Sequence, residues 1–180
     1  GIKLIGAESG EGNPHVWVSP SLAAQQVRNI ATQLASLDPQ HGPRYRQNAD
    51  KYVNQILELR QEMQRRLEDI KHRDIVTFHE AFPYFAREFN LKVVAVVERE
   101  PGSEPSAAEM AAAIRIIRAS GVKAIFAEPQ YPAKAARAIS QETGVPVYFL
   151  DPAAVGPDDR AAYLNIMKKN LKVLVEALSN

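Results

Sequence analysis

Apolar residues are arranged in two textures along this chain, and the change comes near Asp74. Before it they recur mostly every three or four residues. Ser19-Pro20 puts a capping serine ahead of a first-turn proline, predicting a helix to about Leu37, where Asp38-Pro39 stops it. A second helix is predicted from about Pro43 to Ile70. Its stripe of Tyr45, Tyr52, Ile56, Leu59, Met63, Leu67 and Ile70 marks an amphipathic helix roughly 40 Å long. The tyrosines and Met63 in that stripe read as core packing. After Asp74, short apolar runs without polar alternation alternate with helical segments. They predict strands at 74–78, 92–97, 122–127 and 145–150 and helices at 80–89, 106–120, 131–143 and 158–178. Strands of this kind are buried on both faces, so the fold class is α/β, a four-stranded parallel sheet flanked by helices and preceded by the long helix. Gly121 and Gly144 sit where helix C-caps belong, and Ser106 with Glu109 has the spacing of a capping box. The run Ile2 to Ala7 could be one more strand, but no neighbouring segment offers it a partner.

Three of the four predicted strands deliver a metal-ligand residue type at their carboxyl ends. Ile75-Val76-Thr77-Phe78 leads to His79, Ala124-Ile125-Phe126-Ala127 to Glu128, and Val147-Tyr148-Phe149-Leu150 to Asp151. Ligands of open α/β sheets bind in the crevice outside those ends, and an imidazole with two carboxylates suits a divalent cation. His15 adds a fourth candidate, because Pro14 and Pro20 stiffen the backbone on both sides of it. Each acid also has a plainer use, capping the helix that follows. His41 and His72 stand in polar surroundings and read as solvated. Glu98, Glu100 and Glu104 should rim the same crevice, with Arg99 as an ion-pair partner.

Composition removes several alternatives. The chain has 180 residues, 46% apolar and 24% charged, enough for a real core in one domain, or in one domain with a long helical appendage. Its formal net charge of +1 gives no electrostatic case for nucleic acid or an anionic membrane. The basic cluster from Arg60 to Arg73 is interleaved with acids and reads as a solvated helix face. Without cysteine there are no thiolate zinc sites, disulfides or cysteine nucleophiles. No apolar stretch approaches the roughly 20 residues of a membrane span, and the start lacks the pattern of a signal peptide. Phosphate-binding glycine loops and the common hydrolase motifs are missing.

Five segments then occur in order: Asn-Pro-His15-Val-Trp-Val-Ser-Pro, Thr-Phe-His79-Glu-Ala-Phe-Pro-Tyr-Phe-Ala, Glu104-Pro-Ser, Ile-Phe-Ala-Glu128-Pro-Gln and Leu-Asp151-Pro. Over nearly the whole chain they resemble the substrate-binding proteins of zinc and manganese ABC importers, the ZnuA/TroA-like group. The resemblance implies two α/β lobes joined by one long helix, with the metal clamped between them. It implies ligand roles for His15, His79 and Asp151, and a place near the site for Glu128, behind the ligands. It also implies an extracytoplasmic protein that delivers Zn2+, with Mn2+ as the alternative, to an ABC permease in the membrane. His79 at the position where glutamate goes with manganese favours zinc. The resemblance implies another ligand histidine ahead of the His15 motif, and this sequence begins after that position. The expectation is therefore a C-terminal portion: residues 1–38 as the remnant of an N-terminal lobe, 39–72 as the linking helix and 73–180 as the C-terminal lobe. On that expectation His15 is poorly anchored, and exposed apolar residues in the first third favour self-association. The competing reading is a metal-dependent hydrolase built on the same His/Asp/Glu cluster, which needs a free carboxylate as general base.

Overall fold

The computed structural model describes residues 1–8, 10–97 and 105–179. Helices α1 (Pro20–Leu37) and α2 (Gly42–Glu68) pack along one another. Ser19 caps α1 by accepting from the Leu22 amide, and Asp38 both ends α1 and caps the short 3-10 turn that leads into α2. The stripe on α2 faces inward as its spacing demands: Val53, Ile56, Leu59, Met63 and Leu67 are all buried.

Four strands follow, β1 (Asp74–Thr77), β2 (Lys92–Val96), β3 (Ile125–Ala127) and β4 (Val147–Phe149), all parallel in the order β2-β1-β3-β4. The register of β1 against β2 shifts between Ile75 and Val76, so that Val94 is passed over. The intervening helices are α3 (Pro83–Glu88), α4 (Ala107–Ser120), α5 (Lys134–Thr143) and α6 (Ala162–Leu178). Side chains alternate across the sheet and divide the core in two. Ile75 and Phe126 join the cluster formed with α2, α3 and α6, whereas Val76 and Ile125 join the one formed with α4 and α5.

The expected α/β architecture and its parallel sheet are present. Strand and helix ends are shorter than predicted, β3 and β4 most of all. The Ser106–Glu109 capping box forms, and Gly121 and Gly144 take the left-handed conformation at the ends of α4 and α5. Two expectations need correction. Ile2 to Ala7 is not a strand: it is extended chain and turn, closed by Asn13 N donating to Ile5 O at 2.8 Å. The basic cluster is not merely solvated either. Arg60 Nε donates to the nearly buried Glu88 carboxylate at 2.6 Å, and the Arg73 guanidinium donates to the carbonyls of Leu67 and Glu68 at the end of α2. Glu98, Arg99, Glu100 and Glu104 lie outside the described residues. Among the described residues no helix is long and apolar enough to cross a membrane.

Candidate metal centre

The carboxyl ends of β1, β3 and β4 are neighbours in the sheet, so His79, Glu128 and Asp151 emerge side by side along one edge. Strands sit about 4.8 Å apart, which puts about 10 Å of sheet between the chain at His79 and at Asp151, with Glu128 in the middle. Glu128 is 4% exposed. Its Oε1 lies 3.0 Å from His79 Nδ1. A carboxylate that accepts this hydrogen bond makes Nδ1 the donor, and in the neutral imidazole Nε2 then keeps its lone pair.

His15 reaches the same place from the other end of the sequence. Its ring stands edge-on to that of His79, centroids 4.7 Å apart and planes at 85°. Burial holds the His15 imidazole below its ordinary pKa, the neighbouring His79 pushes in the same direction, and Glu128 opposes both. His15 was expected to hang loosely, and the structure differs. Val16 and Val18 are buried, Trp17 Nε1 donates to Pro152 O at 2.8 Å, and Tyr163 Oη donates to Trp17 O at 2.9 Å. Tyr84 Oη donates to Asn13 O at 2.6 Å and accepts from Ile5 N at 2.8 Å. Asn13 holds His15 directly, its Oδ1 3.0 Å from both the backbone nitrogen and Nδ1 of that histidine, while its Nδ2 donates to Glu80 O at 2.7 Å. Tertiary contacts supply the order that the sequence-local context lacks. A cleft of about 450 Å³ opens beside the pair, lined by Ile5, Asn13, His15, His79 and Glu80 among others.

Asp151 is built in differently. Its Oδ1 accepts from Gln130 Nε2 at 2.8 Å and from the amide of Ala153 at 2.9 Å. Buried Asn170 grips its backbone on both sides, accepting from Asp151 N at 3.0 Å and donating to Asp151 O at 2.7 Å. Gln130 Oε1 is buried with no hydrogen-bond partner among the described residues.

The structure thus brings His15, His79 and Glu128 together, and places Asp151 along the same sheet edge, bonded to Gln130 and Asn170. Among the described residues no three histidine, aspartate or glutamate side chains already surround a common point that could hold a metal. His41 is exposed and paired with Asp38, away from this edge. Tyr163 and Asn170 lie outside the segments singled out in the sequence, and no role followed from them for Asn13, Tyr84 or Gln130. Only Asn13 carried a local signal, since asparagine two residues ahead of an amide is placed to accept from it.

The family described as zinc-uptake complex component A, periplasmic, matches residues 1–177. The high-affinity zinc uptake system protein ZnuA of Bacillus subtilis is 31% identical over 170 residues, covering 92% of this chain and 53% of that protein. This chain therefore spans about half the length of that relative. Among solved structures, FpvC of Pseudomonas aeruginosa in complex with Mn2+ superposes with a TM-score of 0.88 at 34% identity, covering 98% of this chain and 66% of the other. The Zn(II)-bound AdcAII E280Q variant of Streptococcus pneumoniae gives 0.85 at 29% identity, covering 99% and 68%.

Proposed function

The chain belongs to the periplasmic zinc-uptake component A family, and on that premise we propose that it binds a divalent cation, zinc before manganese, and passes it to an ABC permease outside the cytoplasm. The observation that carries the reading is the edge-to-face pair of His15 and His79, with His79 backed by the buried Glu128 carboxylate. Both imidazoles serve as ligands. Glu128 orients His79 and raises its basicity instead of binding the ion. Asp151 adds a third donor through Oδ2, the oxygen that neither Gln130 nor the Ala153 amide engages. A water on the cation would give the orphaned Gln130 Oε1 a donor.

Two imidazoles and one carboxylate favour zinc, because manganese prefers an all-oxygen shell. Solved relatives bind either ion: the FpvC complex carries Mn2+ and the AdcAII variant Zn(II). The same reading assigns residues 1–38 to the end of an N-terminal lobe, 39–72 to the joining helix and 73–180 to the C-terminal lobe. The hydrolase alternative needs a carboxylate free to take a proton from water. Glu128 is buried and bonded to His79, which speaks against that role.

Calorimetric titration tests the proposal. One zinc per chain is expected, with manganese weaker and zinc binding lost in His79→Ala. Absence of zinc binding, or titration of His79→Ala indistinguishable from wild type, would overturn it.

A further inference from the structure

We infer that Asn13 is a positioning residue: its side-chain amide locks His15 in the tautomer that leaves Nε2 free for a cation, and ties that ring to the loop bearing His79. The inference rests on the reading of His15 as a ligand and deepens it.

The amide orientation follows from partners that can act in only one way. The His15 backbone nitrogen can only donate, so the Asn13 atom 3.0 Å from it is the oxygen. The Glu80 carbonyl can only accept, so the atom 2.7 Å from it is the nitrogen. That same oxygen lies 3.0 Å from His15 Nδ1, and two acceptors cannot share a hydrogen bond. Nδ1 therefore carries the proton, and the lone pair is left on Nε2. A solvated neutral imidazole favours the opposite arrangement, with the proton on Nε2, where it blocks coordination by that atom. Holding the less favoured tautomer before the ion arrives removes a rearrangement from binding.

Asn13 is itself held on every polar group. Its N–H donates to Ile5 O at 2.8 Å, its carbonyl accepts from Tyr84 Oη, and both ends of its amide are engaged. Pro14 fixes the single residue between it and His15. Glu80 directly follows His79, so one amide joins both ligand-bearing segments. Aspartate at this position would keep the acceptor for His15 and lose the donor to Glu80.

The test combines ring-nitrogen NMR on the metal-free chain at about pH 8, where imidazoles are neutral, with zinc titrations of wild type, Asn13→Ala and Asn13→Asp. His15 of the wild type should show Nδ1–H, and Asn13→Asp should retain it. In Asn13→Ala the proton should move toward Nε2, and zinc affinity should fall by about 10-fold or more. Thermal unfolding of each variant separates this from loss of folding, which would not shift the tautomer of a chain still folded. An Nε2–H tautomer in wild-type His15 overturns the inference whatever the variants do. Equal zinc affinity in wild type and Asn13→Ala also overturns it. A wild-type chain that binds no zinc overturns the proposed function instead.

Discussion

Glu128 sets its carboxylate behind His79 in a nearly dry environment, and on the proposed reading that contact makes the ring a better and a fixed metal donor. Glu128→Gln keeps an acceptor but removes the charge. Zinc affinity should drop by about 10-fold or more, a loss readable by competition with a chelator of known affinity. The proton behaviour of His15 gives a second expectation. Its ordinary pKa of 6.5 is lowered in the native chain, first by burial and then by His79. The native state then binds fewer protons than the unfolded one, so stability is full above that value and declines as pH falls through it. Thermal midpoints of the metal-free chain should decline below about pH 6.5, and part of that decline should vanish in His15→Ala. Parallel curves for the two chains would contradict the assignment. The strand-end positions of His79, Glu128 and Asp151 were legible, because short apolar runs lead straight into them. The anchoring roles of Tyr84 and Asn170 were not, because their partners are made by the fold: Tyr84 meets Asn13 across 71 positions and Asn170 meets Asp151 across 19.

Among the elements, α1, α2 and α3 meet at a polar junction just after the His15 segment. The Glu88 carboxylate at the end of α3 accepts from the Ser19 and Ser21 hydroxyls and from Arg60 on α2. Its charge sits at the amino end of α1, where the helix dipole favours it. Removing Arg60 leaves that carboxylate without its cation, so Arg60→Ala should destabilise by about 2 kcal/mol in denaturant unfolding. Met63, fully buried on α2, should cost about 2–5 kcal/mol on truncation to alanine. The helix α2 was readable from periodicity alone, because one face of a long helix repeats its instruction many times. Ile2 to Ala7, a possible strand by sequence, forms none, and six residues without a neighbour carry no such repetition. What fixes them is a tyrosine hydroxyl from α3, which pairs with a backbone amide much as a strand would.

For the whole molecule, α1 presents an apolar face left exposed among the described residues. Ile30 is 58% and Leu37 82% exposed, with Leu34 between them, beside a groove lined by Val27, Ala31, Tyr45, Ala49 and Tyr52. Copies of this chain should associate through it. Light scattering should show mass rising with concentration, and Leu34→Lys should suppress the rise. The broad architecture was legible because alternating strand and helix signals admit few topologies. The meeting of His15 with His79 did not follow from periodicity, which says nothing of which distant ends meet; only the family resemblance implied it. That convergence is the central claim, and zinc K-edge X-ray absorption on the zinc-loaded chain measures it most directly. The account predicts a shell of nitrogen and oxygen donors near about 2.0–2.1 Å with scattering from two imidazoles, falling to one in His15→Ala. A shell containing fewer than two imidazoles in the wild-type chain would contradict it.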